Sequence, residues 1–331
     1  MSVRTIRWGI SSTGHIAQRF AAGLRLVPDA RLVAVGSRTQ AAADAFGDEF
    51  DVPRRHAGID RLAADPEVEV VYVASPHSVH HDDVLVLVEA GKAVLCEKPF
   101  ALSETQAAAM VTAAEIQGVF LMEALWSRFL PAYVELRRLL ADGAIGEPRL
   151  VEADFGLSIP REQPPVHRLN RPDLGGGAAL DLGIYPVNLA HVVFGEPNTV
   201  LAAGNVHAGV DETTAMLLGW PSGAMAVLHT SIRIATAITG RITGDEGWIR
   251  LPAHMHHPTR LLVGRHGHDA IPLDTPYAAP GLQYQVHEVN RCLRAGLTQS
   301  DVLPHRDTLE MMRTLDRVRA GIGLRYPQEH R

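Results

Sequence analysis

The 331-residue chain has only two cysteines, Cys96 and Cys292, and each sits in an apolar or helical context. One pair makes no disulfide framework, and buried thiols fit a reducing compartment, so a cytoplasmic protein is expected. No stretch approaches the ~20 consecutive apolar residues of a membrane helix. Met1 to Ile10 shows no apolar signal core and no cleavage site, so nothing there points to export. The chain also lacks a basic block and carries a net charge of −6, which argues against nucleic acid as the main partner. An anionic ligand would therefore be held by local groups and not by the overall field. There is no internal repeat and no low-complexity segment. The remainder is ordinary for a globular protein, with 46% hydrophobic and 21% charged residues, and its length fits two domains.

From residue 4 to about 122 the pattern alternates strand and helix. The expected strands are Arg4–Ile10, Arg31–Val35, Val68–Ala74, Ala93–Cys96 and Val119–Met122. Helices are expected from Ile16, over Ala41–Phe50, over His81–Ala90 and from Ser103, which has Gln106 at capping-box spacing. Such alternation implies a mostly parallel sheet with helices on both faces. After about residue 125 the rhythm changes. A helix over Pro131–Ala141 precedes a strand over Leu150–Phe155 and a proline-bearing loop. Gly175-Gly176-Gly177 leads into a single helix from about Ala178 to Val193. Short alternating runs follow at Thr213–Trp220, Ala224–Ile234, Ile238–Thr243 and Trp248–Leu251, which imply hairpins and an antiparallel sheet. Helices near Tyr284–Arg294 and His305–Ile322 close the chain. The expected domains are residues 1–124 and 125–331.

The first strand runs into Gly9-Ile10-Ser11-Ser12-Thr13-Gly14-His15-Ile16. This approximates the dinucleotide fingerprint, with Ser11 in place of the second glycine. Gly9 would permit the tight turn, Gly14 the close helix packing, and the helix N-terminus would meet a pyrophosphate. A Rossmann domain is therefore expected, followed by an α+β domain with a large, open, mostly antiparallel sheet. The second strand ends in Gly36-Ser37-Arg38, where an NAD enzyme usually has an acid for the ribose hydroxyls. A hydroxyl and a guanidinium fork suit a 2′-phosphate, so NADP is expected over NAD.

Two further strand ends carry Ser75-Pro76-His77-Ser78-Val79-His80 and Cys96-Glu97-Lys98-Pro99. In an open parallel sheet, ligands bind beyond the carboxyl ends of the strands. Together with Gly175-Gly176-Gly177 and Asp181-Leu182-Gly183-Ile184-Tyr185, these segments resemble the Gfo/Idh/MocA oxidoreductase family. Val94–Phe100, Phe120–Phe129 and the ending Tyr326–Arg331 resemble its branch of dimeric dihydrodiol and NADP-dependent D-xylose dehydrogenases. The wider family usually has Asn at His77 and His at Tyr185, and the tyrosine favours that branch.

The resemblance implies a hydride transfer between NADP and a cyclic polyol carbon, either an aldose C1 or a trans-dihydrodiol. It implies catalysis by Lys98, Tyr185 and Asp181. Asp181 and Tyr185, four apart, would share one helix face, which Asn188 extends. Lowering a tyrosine pKa by ~3 units takes ~4 kcal/mol, which one ammonium at ~4 Å supplies at a dielectric of ~20. Either Tyr185 or Lys98 could carry the proton. Gly9, Ser11, Thr13, Gly14, His15, Ile16, Ser37, Arg38, Ser75, His77, His80, Glu97, Lys98 and Arg128 are the expected cofactor contacts. Trp126 and Phe155 are expected to line the substrate site with Asp181 and Tyr185. His254, His256 and His257, and likewise His77, His80 and His81, lack ligand-spaced partners, so no metal is expected. The family's use of the free sheet face implies a homodimer, with a tetramer as the alternative. Two competing readings remain: a non-catalytic NADP-binding sensor or scaffold, and a redox-neutral glycosidase with tightly held NAD.

Overall fold

The computed structural model describes residues 4–162 and 164–330. Residues 1–3, Gln163 and Arg331 lie outside it, and with them the last residue of the 326–331 ending. The chain divides into two compact units.

The first unit is built on a six-stranded sheet of order β3-β2-β1-β4-β5-β6. Its strands are β1 (Ile6–Ser11), β2 (Ala30–Ser37), β3 (Arg54–Ala57), β4 (Val70–Val73), β5 (Ala93–Glu97) and β6 (Leu121–Ala124). Every neighbouring pair is parallel. The helices α1 (His15–Leu24), α2 (Gln40–Phe50), α3 (Ile59–Ala63), α4 (His80–Glu89) and α5 (Glu104–Gln117) make the crossovers. This is the doubly wound order of a Rossmann domain. β4 and β5 are buried at every residue, as strands covered on both faces must be. β3 was not expected. Its Arg-Arg-His-Ala sequence is half-buried throughout, at the sheet edge, and carries no apolar rhythm.

This unit also takes in Ala278–Thr308, so its border differs from the 124/125 division expected from sequence. The reason lies in long-range polar contacts. On α9 (Gln283–Arg294), Asn290 accepts from Trp8 Nε1 at 3.1 Å and donates to the Asp29 carbonyl at 3.2 Å. Arg294 donates to the Arg4 carbonyl, and the Leu121 amide donates to the Thr298 carbonyl.

The second unit holds an eight-stranded sheet, β14-β13-β12-β11-β7-β10-β9-β8. The strands are β7 (Pro148–Gly156), β8 (Thr199–His207), β9 (Val210–Gly219), β10 (Met225–Ser231), β11 (Gly240–Gly244), β12 (Gly247–Leu251), β13 (Arg260–Arg265) and β14 (Ile271–Asp274). All pairs are antiparallel except β7 with β10. The helix α6 (Pro131–Ala141) matches its expected span. The unit also holds most of α10 (His305–Gly321).

The helix expected over 178–193 is two helices. They are α7 (Ala178–Asp181) and α8 (Ile184–Phe194), and the segment Pro172–Asp181 meets α8 at a bend of 45°. Gly183 sits at the break, where a Cβ would lie 2.4 Å from the Ala179 carbonyl oxygen. Only glycine allows so close an approach. Asp181 and Tyr185 are therefore not one helical turn apart on a shared face, which corrects the i,i+4 reading.

Among the described residues, no single helix is long and apolar enough to cross a membrane.

Candidate active site

In the first unit, the turn after β1 carries the fingerprint residues. Gly9 is packed so that a Cβ would meet Val68 and Leu62 at 3.1 and 3.3 Å. The residue with positive φ is Ser12, at 102°, one place after the expected second glycine. Its hydroxyl accepts from the Gly14 amide at 3.3 Å and shapes the turn. Gly14 then opens α1 with no side-chain cap. The first-turn amides of α1 are thus left to an anion, for which a helix N-terminus is suited. His15 is exposed and Ile16 half-buried.

Thr13 Oγ1 lies 3.4 Å from Ser37 Oγ, which joins this turn to the end of β2. Arg38, the next residue, is exposed. Among the described residues no ion pair or hydrogen bond engages its guanidinium, which suits an unfilled anion contact.

The ends of β4 and β5 are joined through His80. Its Nε2 lies 2.9 Å from the Ser75 carbonyl oxygen and its Nδ1 3.0 Å from that of Pro99. The ring is fully buried, and burial, aided by the neighbouring His77, pushes its pKa down to about 3. With both nitrogens on main-chain oxygens, His80 has no polar atom to offer a cofactor. Its expected role as a contact is corrected to that of a staple between two loops. The His77 ring lies 5.7 Å from it, centroid to centroid.

Lys98 is half-buried and follows Glu97, whose carboxylate accepts from the Lys98 amide at 3.2 Å and from the Tyr72 hydroxyl. Glu97 is therefore engaged in shaping its own loop. Asp83, which the sequence did not mark, lies behind the turn, with a carboxylate oxygen 3.5 Å from Ser11 Oγ. Burial raises its pKa. Arg128 is buried and paired with Asp307 at 2.8 Å. Trp126 is buried, with Arg19 over its ring at 5.9 Å.

In the second unit, Tyr185 stands in the first turn of α8 and is 5% exposed. Its ring lies against Phe155, from the end of β7, at a centroid distance of 5.4 Å. Asp181 ends α7 and is buried, and both its oxygens accept from Arg168 Nη2, at 2.9 and 3.0 Å. Asn188 is fully buried on α8.

Sequence reasoning missed two residues here. Arg168 lies in a proline-bearing loop with no periodicity. His256 was set aside as a loop histidine, yet its ring lies 4.8 Å from Tyr185 and 4.6 Å from Phe155. The signal that could have marked it was the histidine density of residues 254–257, read as a ring cluster instead of a metal set.

The chain belongs to the Gfo/Idh/MocA oxidoreductases. The model for the oxidoreductase family with an NAD-binding Rossmann fold matches residues 6–125, and the GFO/IDH/MocA C-terminal domain matches 133–250. The protein is thus an NAD(P)-dependent dehydrogenase of this family. Among its relatives, trans-1,2-dihydrobenzene-1,2-diol dehydrogenase of Danio rerio is 37% identical over 98% of this chain and 99% of its own. The Homo sapiens enzyme of that name is 35% identical at the same coverage. The solved structure of an aldose-aldose oxidoreductase from Caulobacter crescentus is 27% identical and superposes with a TM-score of 0.87, covering 99% of both chains. A 3-ketoreductase from Actinomadura kijaniata, in complex with NADP and TDP-benzene, is 25% identical with a TM-score of 0.86, covering 96% of this chain and 98% of its own.

Proposed function

We propose that the protein is an NADP-dependent dehydrogenase that oxidises a ring-carbon hydroxyl of a small cyclic polyol, either an aldose C1 or a trans-dihydrodiol. The observation that carries this reading is Tyr185, a buried phenol against Phe155, in a chain 35–37% identical to dihydrodiol dehydrogenases. The aldose alternative has support from the aldose-aldose oxidoreductase of similar fold.

The residues present fit a dinucleotide. The uncapped N-terminus of α1 offers amides to a pyrophosphate, and the unengaged Arg38 offers a guanidinium to a 2′-phosphate. The bound nicotinamide supplies the hydride acceptor. The first unit holds the cofactor, and the second holds the substrate. Tyr185 takes the hydroxyl proton, and the Lys98 ammonium stabilises the negative charge that forms on oxygen. Asp181, fixed by Arg168, accepts from a substrate hydroxyl. Phe155 packs on the apolar face of the ring. No metal is called for in this scheme.

A second copy of the chain is the proposed partner. On the open face of the sheet, Leu201, Leu217 and Val227 line up in register on β8, β9 and β10. Leu201 and Val227 are 58% and 49% exposed, an apolar row of the kind that marks an interface.

The test is a panel of aldoses and a trans-dihydrodiol with NADP⁺ and with NAD⁺, followed by absorbance of the reduced cofactor. Turnover with NADP⁺ preferred is expected. NADPH binding without turnover anywhere on the panel would overturn this reading in favour of a sensor.

A further inference from the structure

Each oxidation leaves one proton on a group that water barely reaches, since Tyr185 is 5% exposed. A phenol so placed needs a route that returns it to the phenolate. The loop between β12 and β13 supplies titratable rings beside it. His256 lies 4.8 Å from Tyr185 and His257 lies 4.3 Å from His256, ring centroid to ring centroid. His254 lies 5.3 Å from His257, and the two rings are stacked. Exposure rises along this series, from buried Tyr185 through half-buried His256 and His257 to exposed His254. Tyr277 joins at the side, its hydroxyl 3.0 Å from His257 Nδ1.

The loop that carries these rings is held firmly. Met255 is fully buried, and its amide donates to the Ile238 carbonyl at 2.9 Å. His254 adopts a left-handed φ of 64°, and the His257 amide donates to the His254 carbonyl at 2.8 Å. A buried methionine between two histidines thus turns His256 onto Tyr185. The left-handed backbone of a non-glycine residue is itself unfavourable, and tertiary contacts maintain it.

We propose that His256 is a further catalytic residue, a proton shuttle that takes the alcohol proton from Tyr185 and passes it to solvent. This rests on Tyr185 as the proton acceptor. The steps balance. The substrate carbon loses hydride to NADP⁺, and its hydroxyl proton passes to the Tyr185 phenolate. The Tyr185 O–H then gives that proton to a ring nitrogen of His256. The imidazolium releases it to water or buffer, which restores phenolate and neutral imidazole. Histidine suits this relay because its unperturbed pKa of ~6.5 lets it accept and release near neutrality.

Two variants test the proposal. His256→Phe keeps the ring contact and removes the nitrogens, and His256→Gln keeps a polar side chain that cannot carry a proton. In weak buffer both variants are expected to lose ~10-fold or more in turnover, within the range that a proton-transfer group contributes. Added imidazole should restore most of that loss, with NADPH affinity unchanged. Turnover within ~2-fold of wild type in weak buffer, without response to imidazole, overturns the shuttle. A second measurement needs no substrate. After a pH jump, the phenolate absorbance of Tyr185, taken as the difference from Tyr185→Phe, should relax more slowly in His256→Phe than in wild type. An unchanged relaxation overturns the shuttle. A slowed relaxation in a protein inactive on the whole panel upholds the shuttle and fails the proposed substrates instead.

Discussion

Arg168 directs Nη2 at both carboxylate oxygens of Asp181, at 2.9 and 3.0 Å. The carboxylate is buried, with 4% of its side chain exposed, whereas half of the arginine is in solvent. A loop residue thus supplies the cationic partner of a buried helix-end acid. Removal of one partner of a buried pair costs more than the pair is worth, because the remaining charge keeps its desolvation penalty. Arg168→Ala should raise the proton affinity of Asp181 and lower kcat/KM by roughly 10-fold or more. Arg168→Lys should recover part of the loss, since an ammonium restores charge without the fork. Steady-state kinetics across pH would show this as a shift of the acidic limb of the profile to higher pH. An unchanged kcat/KM in Arg168→Ala would remove Asp181 from the proposed site.

Arg38 bears on the choice of cofactor. It is exposed at the carboxyl end of β2 and has no engagement among the described residues. Arg38→Ala should raise the NADP⁺ Michaelis constant about 10-fold or more, as loss of a charge-assisted phosphate contact does. The constant for NAD⁺, which has no 2′-phosphate, should change little. Equal effects on the two would refute the assignment.

Much of this was legible in the sequence because it depends on local pattern. The buried strands β4 and β5 read as apolar runs, and α6 begins at Pro131 and ends before Asp142-Gly143 as its residues direct. The edge strands β3, β8 and β14 were not legible, because an edge leaves residues exposed and dissolves the alternation. The break at Gly183 was hidden for another reason. The run from Ala178 to Phe194 is mostly apolar, and the close approach of the Ala179 carbonyl to Gly183 arises only in the folded chain. In the proposed site, Lys98, Tyr185 and Arg38 stand out in the sequence by type and position. Arg168, His256 and Asp83 did not, since each acquires its meaning from a neighbour distant in sequence.

Two buried groups should oppose one another in the pH dependence of stability. Burial holds His80 at about 3, against ~6.5 in the unfolded chain. Its folded pKa is depressed, so as pH falls the unfolded chain takes up the proton first. Its contribution is complete above about pH 6.5 and is lost progressively toward pH 3. The two carbonyls facing its ring favour the cation, but burial outweighs them. Glu123, 2% exposed, has its pKa raised to about 7, chiefly by burial. The folded protein keeps that proton where the unfolded chain has released it. Its contribution is therefore complete below about pH 4.5 and is lost as pH rises through about 7. Glu123→Gln should be the more stable protein near pH 8, by up to roughly 3 kcal/mol. His80→Gln should flatten the fall in stability between about pH 6.5 and 4. Thermal unfolding of the three proteins across this range reads both slopes. A wild-type acid slope in His80→Gln would show that the ring is protonated in the fold.

The proposed dimer would form through the open face of the second sheet. Leu201, Leu217 and Val227 face one another across β8, β9 and β10, and the same row continues into Glu152 on β7 and Arg241 on β11. An apolar row beside one acid and one base in register is a composition that a second copy can cover by two-fold symmetry. In such an isologous contact each substitution counts twice. Val227 is 49% exposed, so Val227→Asp should be nearly neutral for the folded protomer. In a dimer formed through this face it would bury two like charges close together, each at a cost of several kcal/mol, and weaken association by ~100-fold or more. Light scattering on eluting protein should then find a dimer for wild type and a monomer for Val227→Asp, with matched thermal unfolding as the control for folding. A Val227→Asp dimer as tight as wild type would move the interface off this face.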